Sequence, residues 1–321
     1  MNTKKITFTI WPTILLLMFV IQVRASDFAV EVVDYEGFAG SGFYDDPTSV
    51  LGKPTRWIYD TSPEYAGEIF RCSLAYSAWS LDPNGGKLIC SISDGAHIVV
   101  RFDHKVADDP GNPYGIDFIV FGNTKFEGIG YLDPNTDMEQ YYLKNPTSAF
   151  SEPVRVSVAQ GPNGPWYAYE DGPYGDSVFP TNAFDWDRNT SNWGDELDWL
   201  KPVDPNLGIS SFDGLSAADA IDFYDGSAGG TGFDLKDLDP NAYAALAVDP
   251  DTGQKWIQYV KVDYLPGSGY VGEIDGFSDA AGCGDYQHPY PEGDINADCR
   301  VDMMDFALLA ENWMDCTWNC Q

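Results

Sequence analysis

The segment PVRVSVAQGPNGPWYAYE, residues 153–170, indicates the fold class of this sequence. Its two halves, PVRVSVAQ (153–160) and WYAYE (166–170), are rich in β-branched and aromatic residues that partly alternate with polar ones, as is typical of strands. Between the halves, Asn163-Gly164 is a dipeptide that favours the tight turn of a β-hairpin. The segment therefore predicts two antiparallel strands.

Three further segments have the same character and are bounded by loops rich in Gly, Pro, Asp and Asn. They are HIVVRF (97–102), IDFIVF (116–121) and KWIQYVKVDYL (255–265). Helical patterns are short, namely SAADAIDFY (216–224) after a Ser216 cap and NAYAALAV (241–248). Because strands and helices do not alternate as in βαβ units, we expect an antiparallel β-sandwich over residues 27–281.

Parts of this region resemble galactose-binding-like (discoidin-type) jelly rolls. The resembling segments are SVLGKPTRW (49–57), VRVSVAQGPNGPWY (154–167) and WIQYVKVDYLPGSGYVGEIDGFSDA (256–280). The resemblance implies ligand binding through loops at one end of the sandwich and a structural calcium near the terminal strand. Glu273 and Asp275 match the acidic positions of that strand, as candidate metal ligands or as ordinary outward-facing acids.

The segment DWDRNTSNWGDELDW (185–199) has the spacing of a second calcium loop. Oxygen-bearing side chains occupy positions 1, 3, 5, 7 and 12, which are Asp185, Asp187, Asn189, Ser191 and Glu196. Thr190 replaces the usual turn glycine, so a solvated acidic loop is the alternative. The indoles of Trp186, Trp193 and Trp199 are candidate stacking platforms for sugar rings, although tryptophan is more often part of a core.

The segment GDINADCRVDMMDFALLAENWMDC (293–316) predicts a calcium-binding hand. Its twelve-residue loop places Asp294, Asn296, Asp298, Arg300, Asp302 and Asp305 at positions 1, 3, 5, 7, 9 and 12, with Arg300 contributing its carbonyl. Phe306, Leu309, Ala310 and Trp313 then form one apolar helix stripe. The alternative is an acidic helix N-terminus in which Asp302 or Asp305 is only a cap.

This hand resembles the repeat of type I dockerins, and its combination with a β-domain is similar to a group of exported bacterial proteins. Dockerins carry two such repeats and this sequence has one, so the resemblance implies calcium binding more directly than binding to a cohesin-like partner. Cys299 stands at position 6, where a sharp turn favours glycine.

The amino terminus and the charge favour an exported protein. Residues 1–25 have a basic start, an apolar stretch and small residues at −3 and −1 of a cut after Ala25, which predicts a cleaved signal peptide. No other segment predicts a membrane span. A formal net charge of −32 argues against nucleic acid and anionic lipid partners and is compatible with a calcium-rich exterior.

The cysteines predict disulfides, since the count is even and the protein is expected outside the cell. We expect Cys72 to pair with Cys90. The other four lie in the tail (283–321), where three pairings are open: Cys283, Cys299, Cys316 and Cys320.

No sequence motif identifies a catalytic residue. We therefore predict a secreted, non-catalytic protein that recognises extracellular glycan or surface polysaccharide, with a Ca²⁺-loaded tail for docking to a cohesin-like or cell-surface protein, or for stability. The alternatives are a glycan-active hydrolase or lyase and a calcium-dependent structural protein of the cell surface.

Overall fold

The computed structural model describes residues 26–37, 44–280, Gly293, Ile295, Val301 and 303–311. The predicted signal peptide (1–25) and the four tail cysteines lie outside the described residues. Within the described part, no helix has the length and apolar character needed to cross a membrane.

The described chain is mainly β. Three strands have eight residues or more, four have five or six, and the others are shorter. In chain order they are β1 (Glu31–Glu36), β2 (Trp57–Tyr59), β3 (Ile69–Arg71), β4 (Cys90–Ile92), β5 (His97–Ala107), β6 (Phe118–Gly122), β7 (Lys125–Phe126), β8 (Gly128–Ile129), β9 (Tyr142–Leu143), β10 (Ala149–Phe150), β11 (Val154–Ala159), β12 (Tyr167–Ala168), β13 (Phe184–Asp187), β14 (Asn192–Glu196), β15 (Thr231–Phe233), β16 (Trp256–Tyr264) and β17 (Gly272–Asp279). Three α-helices accompany them: α1 (Ala217–Asp222), α2 (Pro240–Ala245) and α3 (Met303–Glu311).

Two antiparallel sheets contain the longer strands. One has the order β1-β5-β16-β11-β12, and the other has the order β15-β6-β17-β4. The predicted hairpin is confirmed, because β11 and β12 pair antiparallel with Ser157 opposite Ala168. The other predicted strands correspond to β5, β6 and β16, and the predicted helix after the Ser216 cap is α1.

Strand β6 separates two hydrophobic clusters, because alternate side chains of a strand point to opposite faces. Phe118 and Val120 belong to a cluster that contains residues of both large sheets, which we call the inter-sheet core. Ile119 and Phe121 face a second cluster, the outer core, formed largely by residues of the loops and of α1. The four-stranded sheet is thus covered on both faces, and the outer cover comes from the segment 58–89 and from the segment between β6 and β15.

The predicted disulfide between Cys72 and Cys90 is wrong. Both residues are buried free thiols, Cys72 in the outer core and Cys90 in the inter-sheet core. Each side chain therefore fills space as a small apolar group in its own cluster. Burial raises the pKa of both thiols, that of Cys90 to about 11, which keeps them protonated and unreactive.

Candidate functional site

A polar cavity of about 300 Å³ opens beside Trp57, at the start of β2. We call it the Trp57 pocket. Its lining includes three basic residues and two acidic ones, together with Asn84: Lys53, Arg56, Lys87, Asp82 and Asp275. Three basic side chains in one cavity are notable in a chain that has 18 basic and 50 acidic residues. This is therefore a place where the strong negative field of the molecule is locally offset.

The floor of the pocket is held by a buried carboxyl group. Asp275 on β17 accepts hydrogen bonds from the Thr55 backbone N–H (3.0 Å) and the Thr55 hydroxyl (2.7 Å). Burial raises the pKa of Asp275 to about 7, partly offset by these bonds. Because Thr55 lies between Lys53 and Arg56 in the chain, Asp275 positions the loop that carries these two basic residues.

Trp57 is in contact with Arg71 and Phe184 and remains 36% exposed. The Arg71 guanidinium lies 4.9 Å from the centre of its ring, and the Phe184 ring lies 5.1 Å away at a tilt of 54°. Such contacts restrict the rotamers of the indole. Sequence analysis missed Trp57 as a site residue, although its position in SVLGKPTRW was the available signal.

Glu196, a predicted ligand of the second calcium loop, neutralises part of this basic rim. It pairs with Lys53 (2.6 Å) and Arg56 (3.4 Å), and it accepts a bond from the Trp199 Nε1–H (2.6 Å). Burial raises the pKa of Glu196, but these partners outweigh that effect and the net shift is downward. Glu196 is therefore an ionised partner of two cations.

The segment 185–196 forms a β-hairpin, and its carboxylates do not form a close group of three among the described residues. In β13–β14, Trp186 lies opposite Trp193 and Asp187 opposite Asn192. Asp187 accepts bonds from the Asn189 backbone N–H and the Thr190 hydroxyl, both at 2.8 Å, which closes the turn. Two of the predicted ligands, Asp185 and Glu196, line a second, acidic cavity of about 510 Å³.

The prediction of an exposed tryptophan platform is wrong for two of its three members. Trp186 is 7% exposed and Trp199 is 4% exposed, and both belong to the outer core. Trp186 packs edge-on against Trp193 at 5.4 Å, and Trp199 packs against Phe121 at 5.6 Å. The indoles are buried because the hairpin lies against this core, where large apolar surfaces are removed from water.

Glu273 and Asp275 both lie on β17, as expected, but their carboxylates have different hydrogen-bond partners. Glu273 accepts bonds from Ser91 and from the Asn123 amide, whereas Asp275 binds Thr55. The Glu273 backbone N–H donates to the buried Asp176 carboxylate at 3.1 Å. Burial, then the charges of Glu152 and Asp176, raise the pKa of Glu273 to about 8.

A group of three aspartates lies at the opposite end of β6 from Glu273. Among the described residues, Asp108, Asp117 and Asp234 are the acids that bring one carboxylate oxygen each to within 4.8 Å of one another. Asp117 has no exposed surface, and burial raises its pKa to about 8. Sequence analysis missed this group because its members are up to 126 positions apart in the chain.

The predicted hand is only partly described. Asp294, Asn296, Asp298, Arg300 and Asp302 lie outside the described residues, so the calcium loop stays a prediction. Helix α3 includes Asp305, which is buried and accepts a bond from the Ile295 backbone N–H at 2.6 Å. Phe306 and Leu309 of the predicted stripe are exposed.

One described histidine lies in an enclosed ion-pair network. His104, the most enclosed of the described histidines, lies between Asp103 (3.0 Å) and Asp279 (2.7 Å) and is almost fully buried. Each ring nitrogen of His104 therefore faces a carboxylate. No protein-family model matches the chain, and no curated protein sequence matches it significantly.

Proposed function

We propose that this chain is an exported, non-catalytic protein that binds extracellular glycan at the Trp57 pocket. In this proposal the two antiparallel sheets form a β-sandwich of the galactose-binding-like type. A dockerin-like Ca²⁺ hand at 294–305 acts in docking or stability. The observation that carries the proposal is the pocket itself, an open cavity that combines one restrained indole with basic and amide side chains.

The chemistry of the pocket favours glycans that carry carboxylate or sulfate groups. An indole face packs against the C–H surface of a sugar ring, and Asn84 supplies an amide for a hydroxyl. Arg56 and Lys87 add cationic donors that pair well with anionic oxygens. The remainder of the chain repels polyanions, so binding is expected to depend on this one region.

A binding assay on insoluble and gel-immobilised polysaccharides tests the proposal. The mature chain should be retained by uronate-rich or sulfated glycans and less by neutral ones, and salt should weaken retention because exposed charges are screened. Trp57→Ala should lower affinity by about tenfold or more, since a central aromatic anchor is removed. Arg56→Glu with Lys87→Glu should abolish preference for anionic glycans.

Tyr142→Ala is the matched control, because Tyr142 is an exposed aromatic residue that does not line the pocket. It should leave retention unchanged. If no glycan of the panel is retained, the proposed function is wrong. If retention survives both pocket variants, the protein binds glycan elsewhere.

A hydrolase or lyase is the second candidate, favoured by the raised pKa of Glu273 beside Asp176 and Glu152. A carboxylic acid that remains protonated near neutral pH is suited to general acid catalysis. Release of reducing ends or unsaturated sugars from a retained polysaccharide, lost in Glu273→Gln, would replace the binding proposal with this one.

A further inference from the structure

Three strand ends bring Asp108, Asp117 and Asp234 together. Asp108 follows β5, Asp117 directly precedes β6, and Asp234 directly follows β15. Phe233 of β15 lies opposite Phe118 of β6, so the adjacent residues Asp234 and Asp117 lie at the same end of this strand pair. The sheet register therefore fixes two of the three carboxylates, and the end of β5 brings in the third.

The group is enclosed and keeps an excess of negative charge. Asp108 binds the Lys236 ammonium and the Tyr243 hydroxyl. Asp117 accepts a bond from the Leu235 backbone N–H at 2.8 Å and a longer one from the Asn112 amide at 3.3 Å. Three carboxylates with one ammonium leave two negative charges when all are ionised, in a place that water reaches poorly.

An independent observation at the same place is the hydroxyl of Tyr169. This side chain is 1% exposed, and its hydroxyl has no hydrogen-bond partner among the described residues. The ring packs on Phe118 and Phe233, the neighbours of Asp117 and Asp234. Burial, and after it the charges of these two aspartates, raise the pKa of the Tyr169 hydroxyl, which agrees with a position near the group. A buried hydroxyl without a partner is costly unless something else supplies one.

We infer that Asp108, Asp117 and Asp234 form a binding site for a hard divalent cation, in the first place Ca²⁺, with the Tyr169 hydroxyl facing the ion directly or through its water. The donor set consists of oxygen atoms, which Ca²⁺ prefers and Zn²⁺ does not. A divalent cation would balance the two excess negative charges of the group. Its residues differ from those of the Trp57 pocket and of the predicted hand, and the inference does not depend on the proposed function.

Calorimetric titration with CaCl₂ tests the inference on the mature full-length chain after treatment with a chelator. The background is Asp294→Ala with Asp305→Ala, which removes the predicted tail ligands. Added to it, Asp234→Asn should weaken binding at the remaining site by about tenfold or more, because one charged ligand is lost. An Asn at position 234 can still accept the hydrogen bond from the Lys236 backbone N–H that Asp234 accepts in the structure, so the local turn is kept.

Lys236→Gln distinguishes a cation site from a structural cluster. Removing the Lys236 ammonium should tighten Ca²⁺ binding several-fold, because Ca²⁺ no longer competes with that ammonium for the carboxylates. A merely structural role of the cluster predicts no gain in affinity. Asp133→Asn is the matched control, since Asp133 caps Asn135 N–H in the same way at 2.7 Å without belonging to the group. It should change nothing.

Two results would overturn the inference. One is a background variant that binds no Ca²⁺. The other is a site whose affinity is unchanged in both Asp234→Asn and Lys236→Gln, or is weakened alike by both. Circular dichroism on each variant confirms that the folded chain is being compared.

Discussion

Single residues in this protein differ from their sequence-based interpretation mainly in what surrounds them. Asp275 was considered as a metal ligand, and in the structure its carboxylate accepts bonds from Thr55 in the loop of the Trp57 pocket. Glu196 was considered as the calcium ligand at position 12 of the loop 185–196, and in the structure it forms ion pairs with Lys53 and Arg56. In both cases the partner lies more than 100 positions away, so no local pattern identifies it.

The two buried cysteines lead to a prediction about reactivity. Cys72 and Cys90 should be alkylated by N-ethylmaleimide only after denaturation, because burial shields both thiols and keeps them protonated. The measurement is peptide mapping of the mature protein with and without denaturant, without reductant. Recovery of a Cys72–Cys90 cross-linked peptide would contradict the structure.

At the scale of elements, the β13–β14 hairpin shows how a loop-like sequence becomes part of a core. Its turn is closed by Asp187, and Arg188 at the tip pairs with Glu139 and with Asp219 and Asp222 of α1. The hairpin and the helix thus stabilise each other at the surface, while Trp186 fills the space beneath.

This arrangement predicts that Trp186→Ala destabilises the protein rather than affecting a binding surface. The loss should be about 3–5 kcal/mol, as for other large aromatic residues removed from a core, and urea unfolding measures it. Glycan retention by the folded variant should be unchanged. A variant of normal stability that has lost retention would restore the hypothesis of a tryptophan platform in this hairpin.

At the scale of the whole molecule, the buried carboxyl groups make stability depend on pH. Burial raises the pKa of Asp117 and Glu273 to about 8 and that of Asp176 and Asp275 to about 7. In the unfolded chain such groups titrate near pH 4. Between about pH 4 and pH 8 the native state therefore binds more protons than the unfolded state, and stability falls as pH rises.

His104 acts in the same direction. Burial by itself lowers the pKa of its imidazole, but hydrogen bonds and charges from Asp279 and Asp103 outweigh burial, and the net shift is upward. A raised histidine pKa contributes stability that is complete below about pH 6.5 and is lost as pH rises through the folded-state value.

We therefore predict that the melting temperature in metal-free buffer falls between pH 5 and pH 8.5, as measured by calorimetry. Asp275→Asn should flatten this profile and be more stable than the parent at pH 8.5, because Asn keeps an acceptor for Thr55 without a buried charge. A profile that does not change between these pH values would show that the four carboxyl groups are not buried as described.

The sequence by itself determined the features that depend on near neighbours. These are the β11–β12 hairpin from its Asn163-Gly164 turn, the long strands from their composition, and α1 from its Ser216 cap, since strand, turn and cap preferences act over a few residues. The prediction of a mainly β chain with antiparallel strands was correct for the same reason.

The tertiary structure alone decided which side chains are buried and which meet. It placed Trp186 and Trp199 in the outer core, separated Cys72 from Cys90, and gathered the Trp57 pocket and the Asp108, Asp117 and Asp234 group. Each of these outcomes depends on contacts between segments far apart in the chain. The burial that sets the pKa values arises from the same long-range packing, which no short window of sequence contains.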